Sequence, residues 1–212
     1  MLGVTIDNKL NFEEHITMIC KKANQKLHAL ARVAKYLDNN KLRILMKTFI
    51  DSQFNYCPLI WMFHSRQLNN KINKIHERAL RIAYKDSTLS FEQLLTLDKS
   101  VCIHHRNLRR LAVEMYKIKE NIAPTPIQEL FPKYENLYNL RNKRFWQTEN
   151  IRTVGFGTET ILYRGKKTWQ LLPEEIKNSA TLIEFKAKVK AWTPSDCACR
   201  LCKEYIYNLG FI

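Results

Sequence analysis

Two interleaved periodicities in residues 65–85 constrain the fold of this chain more than any other feature. Leu68, Ile72, Ile75, Ala79 and Ile82 step by four and three, the spacing of one face of an α-helix. Lys71, Lys74, Arg78, Arg81 and Lys85 repeat those steps one position earlier. On a rod turning about 100° per residue, a basic stripe then runs directly beside the apolar one. Ser65 stands where a side-chain oxygen accepts a backbone N–H at a helix start. One helix would bury a core with one flank and offer five cations on the other. Two readings follow: a solvated basic face, or a track for a polyanion such as nucleic acid. Only Glu77 interrupts the positive field, which favours the track.

The rest of the chain agrees in charge. The 212 residues carry a net +15. Nine basic residues stand against five acidic in 1–64, twelve against six in 65–120, and again twelve against six in 133–192. The excess therefore belongs to a folded body, which attracts nucleic acid more readily than anionic lipid. Apolar residues make up 45% of the chain, enough to exclude a wholly disordered polymer. Gly (5) and Pro (6) are few, which suits long helices with few tight turns. No secretory signal is visible, and the longest uncharged run, residues 52–65, is too short to cross a bilayer. The expectation is a non-membrane, intracellular protein, nuclear or cytoplasmic, whose six cysteines stay reduced.

In chain order, Leu2, Val4 and Ile6 alternate with Gly3, Thr5 and Asp7, the pattern of a β-strand. A single strand needs a sheet to join, so the sequence reads as if it begins in the middle of a fold. Asn11 with Glu14 three residues on predicts a capped helix carrying Phe12, Ile16, Ile19, Ala23, Leu27, Leu30 and Ala34 inward. Asp38-Asn39-Asn40 breaks the pattern and can cap the next helix, which carries Leu42, Leu45, Met46, Phe49 and Ile50 and ends before Pro58. Tyr56, Leu59, Trp61 and Phe63 read as a core patch. After the Ser65 helix, Ser90 caps a short helix. Ser100 begins a longer one through Glu120, with Arg106, Arg109 and Arg110 among its outer positions.

Pro124, Pro126 and Pro132 mark a boundary. Beyond it, Arg141, Lys143, Arg144, Phe145, Trp146 and Arg152 alternate cations with rings. That mixture suits single-stranded nucleic acid, and equally a linker with a few rings tucked onto a neighbour. Residues 160–171 predict a helix ending at Leu172-Pro173, and Thr181 begins another with Leu182, Phe185, Val189 and Trp192 inward.

Cys197, Cys199 and Cys202 fall at Cys-x-Cys-x-x-Cys spacing, and thiolates so placed can wrap one tetrahedral Zn²⁺. A structural zinc site needs a fourth ligand, which Cys102, His104, His105 or His64 could supply; a redox cluster and no special role are the alternatives. Catalytic groups are scarce. Glu13-Glu14 and Glu174-Glu175 sit where acids favour a helix dipole, not as acid–base couples, and no nucleophile lies in a triad signature.

Residues 2–7 (Leu-Gly-Val-Thr-Ile-Asp), with Leu10, Phe12, His15-Ile16 and Lys21-Lys22, resemble the segment that ends the palm and enters the thumb of non-LTR (LINE-like) retrotransposon reverse transcriptases. Residues 56–61 (Tyr-Cys-Pro-Leu-Ile-Trp) and 75–81 (Ile-His-Glu-Arg-Ala-Leu-Arg) resemble the helices that follow. Tyr163-Arg164-Gly165 with Trp169, Leu172-Pro173, Phe185-Lys186, and Cys197 to Cys202 with Gly210-Phe211 resemble later parts of the same proteins, in the same order.

The resemblance implies a mainly α fold: a palm remnant at 1–10, a helical thumb-like domain at 11–122, a basic and aromatic linker at 123–158, a small helical unit at 159–192 and a Cys-rich tail at 193–212. It implies the C-terminal part of an RNA-directed DNA polymerase whose fingers and palm lie before residue 1, with Met1 marking a truncated or mis-started reading frame, or a decayed element copy. Mg²⁺ would belong only to the full-length polymerase, so no catalytic residue carries over. The cysteines depart from the family's Cys-Cys-His-Cys knuckle, since no His follows Cys199 or Cys202. The expected partners are RNA, DNA or an RNA–DNA hybrid, gripped by Lys71, Lys74, Arg78, Arg81, Lys85, Arg106, Arg109 and Arg110. A helical protein-interaction module and a zinc-dependent DNA-binding protein are the competing classes.

Overall fold

A computed structural model describes residues 3–133, 145–147, 151, 153 and 157–194. These residues are mainly helical, and among them no strand forms; the one isolated bridge joins Lys133 and Trp146. The chain divides into two compact units between Asn107 and Leu108, inside helix α7 (Ile103–Lys119).

The first unit is built on α1 (Glu13–Val33) packed along α5 (Arg66–Tyr84). Between them in sequence come a 3-10 turn (Ala34–Tyr36), α2 (Asn39–Leu45), a π-helical segment (Met46–Asp51), α3 (Ser52–Asn55) and α4 (Pro58–Trp61); α6 (Phe91–Asp98) follows. Every inward position predicted for α1 from Ile16 to Leu30 is buried, and Ile16, Ala23, Leu42, Met46, Ile50, Phe54, Trp61, Ile72 and Ala79 are fully enclosed in one core.

The π segment has a cause in the sequence. Leu42, Met46, Ile50 and Phe54 are all buried and spaced by four. An α-helix would rotate each step about 40° off one line. A widened turn keeps them aligned and turns Asp51 inward as well, while Phe49 is left half exposed.

Helix ends show where local chemistry won. Asp38 accepts from Lys41 N at 2.9 Å, and Ser90 with Gln93 forms a complete capping box. Ser65 is the N-cap of α5 but its side chain makes no capping bond. Three helices end in the two-bond C-terminal turn that normally uses glycine, here with Lys85, Lys99 and Asn121 at φ 54°, 52° and 57°.

Four expectations are corrected. Residues 3–7 are not a strand: Gly3 turns at φ 81°, and Asp7 folds its carboxylate over the backbone N–H groups of Lys9, Asn11 and Phe12. Those bonds replace the expected Asn11 capping box, and the N-cap is Phe12 in a left-handed conformation. Helix α7 starts at Ile103 and not at Ser100. In the patch at 56–63, Trp61 is enclosed, whereas Tyr56 is about half exposed.

The second unit holds the rest of α7, α8 (Thr125–Glu129), a 3-10 turn (Gly157–Glu159), α9 (Ile161–Leu171), α10 (Glu174–Lys177) and α11 (Leu182–Ala191). Thr160 and Thr181 cap α9 and α11 by accepting from Tyr163 N and Glu184 N. Its core is aromatic. Tyr116 stacks on Phe185 at 4.3 Å, Phe185 lies 5.9 Å from Trp169, and Trp169 meets Trp146 edge-on at 5.5 Å. Gly165 lets α9 approach α7: a Cβ there would stand 2.6 Å from Met115 Sδ.

Candidate nucleic-acid interface

Helix α5 separates its two stripes as the periodicity requires. Ile72 and Ala79 are fully buried, and Leu68 and Ile75 nearly so. Lys71, Lys74 and Arg78 are exposed and fall within about 60° of arc on the helix circumference. The other two cations of the stripe are engaged locally. Arg81 donates to Glu77 and to the Ser87 carbonyl, both at 2.7 Å. Lys85 lies one residue past the helix, and its Nζ donates to the Leu37 carbonyl at 2.8 Å. The solvent-facing part of the stripe is therefore its first half.

Helix α1 extends that half. Burial pushes the Cys20 thiol up to about 11, and the charge of Lys71 pulls it the other way, so Lys71 lies beside α1. Lys21 follows Cys20 on the exposed side of α1. Sequence periodicity places Lys21 on a solvent face but contains nothing that joins α1 to α5; the approach of Lys71 to Cys20 comes only from the packing of the two helices.

The α7 arginines have different surroundings. Arg106 is paired with Asp51 at 3.1 Å and reaches Asn55 at 3.3 Å. Arg109 donates to the Trp192 carbonyl at 2.7 Å, and Arg110 is half-buried. Arg106 belongs to the first unit, and Arg109 and Arg110 to the second.

Two buried carboxylates escaped the sequence reading. Asp98 is buried at the end of α6, where Arg43 pairs with it, Tyr84 donates to it at 2.9 Å and Lys47 stands 3.8 Å away. Burial alone would raise its pKa, but the hydrogen bonds from Tyr84 and Arg43 and the Lys47 charge hold it below the ordinary carboxylate range. Asp51 is the other, and near it His76 is fully enclosed. Burial drives the His76 pKa down to about 4, with Asp51 opposing and Arg106 assisting that shift.

Cys197, Cys199 and Cys202 lie outside the described residues, as do Arg141, Lys143, Arg144 and Arg152. Among the described residues, no three His, Cys, Asp or Glu side chains stand together as a metal site. His104 is buried and His105 half-buried, with rings 6.0 Å apart. Also among the described residues, no helix is long and apolar enough to cross a membrane.

Comparison with family models, curated proteins and solved structures returns no match.

Proposed function

We propose that this chain is a non-catalytic C-terminal part of a retrotransposon RNA-directed DNA polymerase, and that it holds template–primer nucleic acid by its phosphates. The observation that carries the reading is the single helix whose buried ridge, Leu68 to Ala79, fixes the direction of Lys71, Lys74 and Arg78 into solvent. Cations held by a packed rod meet a polyanion with little ordering cost, and phosphate contacts of this kind grip without reading sequence. Lys21 adds a fourth charge from α1. Arg81, Lys85, Arg106, Arg109 and Arg110 reinforce the positive potential while serving local contacts.

The test is binding of an RNA–DNA hybrid by fluorescence anisotropy across a salt series. In Lys71→Glu/Lys74→Glu/Arg78→Glu, affinity falls by at least tenfold and the log–log salt slope drops by about 2.7, the release expected for three phosphate contacts. Stability should stay within about 0.5 kcal/mol, since all three are surface positions. Unchanged affinity and slope would overturn the reading, and so would Mg²⁺-dependent primer extension by the chain alone.

One observation favours a second reading, a helical protein-interaction module. Ile44, Phe49 and Ile60 of the α2–α4 stretch are 64%, 49% and 46% exposed, more apolar surface than a solvated stretch needs. That module would show no affinity for the hybrid at low salt.

A further inference from the structure

A second feature lies in the other unit, away from helix α5 in sequence and of different chemistry. Phe145 is half-buried. It is the outermost member of the aromatic series, edge-on to Trp146 at 5.0 Å, with Trp146 backed in turn by Trp169. Two ammonium groups lie over its ring, Lys133 Nζ at 5.8 Å and Lys119 Nζ at 6.0 Å from the centroid, and Lys119 stands equally close to the Tyr116 and Trp169 rings at 5.9 Å. Each is steadied by one acceptor, Lys133 by Asn121 Oδ1 at 3.1 Å and Lys119 by Glu120 at 2.5 Å. An ammonium has three donors, so each retains capacity for a further acceptor. The pairing of Lys133 with Trp146 across a backbone bridge, with Gln147 N donating to the Pro132 carbonyl at 3.0 Å, fixes the ring relative to Lys133.

We propose that Phe145, Lys119 and Lys133 form a stacking site for an unpaired nucleobase and its phosphate. A base of any kind stacks on the ring by taking the place that the two ammonium groups hold over it, and the displaced ammonium groups meet the backbone phosphate that follows the base. A base inside a duplex is already stacked on both sides, so the site selects single strands. The rigid backing matters, because Trp146 is nearly enclosed and cannot yield when a base presses on Phe145. This contact is independent of the α5 stripe, which faces phosphates without regard to strandedness.

Binding is measured in the background of Lys71→Glu/Lys74→Glu/Arg78→Glu, so that the α5 stripe cannot contribute. The probes are a twenty-nucleotide single strand, the same sequence as a duplex, and AMP as a free nucleotide. The expected result is single-strand binding with quenching of tryptophan fluorescence, weakened about tenfold by Phe145→Leu, which keeps apolar bulk and loses the stacking face. Lys119→Ala and Lys133→Ala should each reduce the single-strand salt slope by about 0.7. AMP binding that shows the same Phe145 dependence identifies a nucleotide as sufficient; its absence assigns the site to a strand, and both outcomes keep the stacking contact. Equal affinity of Phe145→Leu and its parent for the single strand overturns the proposal, as does equal dependence of duplex binding on Phe145. A thermal melt of Phe145→Leu within a few degrees of its parent separates these results from unfolding. If the parent chain binds duplex but the α5 triple variant binds no single strand, the stacking site fails and the α5 reading stands.

Discussion

In the first unit Lys71, Lys74 and Arg78 stand in water beside an aliphatic ridge, whereas in the second Lys119, Lys133 and Lys166 fold back over rings at about 6 Å. The first unit buries mostly Ile, Leu, Met and Ala around Phe54 and Trp61, and its enclosed charges are acids clamped by arginine and tyrosine. The second buries Trp, Tyr and Phe, and its nearly enclosed charge is a base: Lys166 donates to the Gln147 carbonyl at 2.7 Å. Both regions have the same sign of net charge, yet they dispose of it differently. An aliphatic face repels an ammonium into solvent, while an aromatic face attracts it through the ring quadrupole. A positive balance along a sequence is therefore not by itself a binding surface; the apolar partner beside each cation decides where the charge points.

The contrast can be broken most forcefully at the rings. Phe185→Ala removes a fully buried residue that touches both Tyr116 and Trp169, and should cost about 3–5 kcal/mol in urea denaturation. Ile72→Val in the aliphatic ridge should cost only about 1 kcal/mol. Similar losses at the two sites would erase the distinction between the cores.

The next effect belongs to the first unit alone. His76 titrates near 4 when folded, against 6.5 for a free imidazole. As pH falls, the unfolded chain takes up its proton first, so stability declines from about pH 6.5 to about pH 4 and levels below that. The drop is up to about 3 kcal/mol, with Asp51, Arg106 and Asp98 the charges that face the ring. His76→Gln should flatten that part of the profile. A wild-type profile that is level between pH 6.5 and 4 would mean the ring is not held neutral.

Smaller effects sharpen the comparison at helix ends. Ser90→Ala should cost about 1 kcal/mol because a complete capping box is lost, whereas Ser65→Ala should cost almost nothing. In the opposite direction, Lys99→Gly should stabilise by roughly 1 kcal/mol by relieving a left-handed lysine, as read from thermal melts. A loss of stability there would mean that the Lys99 side chain does more than close the turn.

Periodicity carried the helices well. The buried faces of α1, α5 and α11, the Ser90 cap, a cap within residues 38–40, the helix start near Thr181 and the stop at Leu172-Pro173 were all legible, because each depends on residues within a few positions of one another. Alternation misled at residues 3–7, where Asp7 offered the backbone a local set of partners that a strand could not match. Apart from Lys85, which lies just past the end of α5, the cations of the stripe fall on that helix, but their occupancy was not legible. Nothing within residues 65–85 announces that Lys85 will reach Leu37, and nothing near Arg106 announces that Asp51 will be carried inward to meet it. Those pairings span fifty residues or nearly so, and no local signal encodes them.

The widened turn at Met46–Asp51 holds one residue more than an ordinary α-turn needs, so this stretch tolerates a loss of length better than a gain. Deleting one residue there would let the helix relax to ordinary α geometry while the turns on either side keep their facing. Phe54 would keep its place in the core, whereas a further inserted residue would turn it away by about 100°. A single codon gained at Thr48 is thus more damaging to this unit than one lost there.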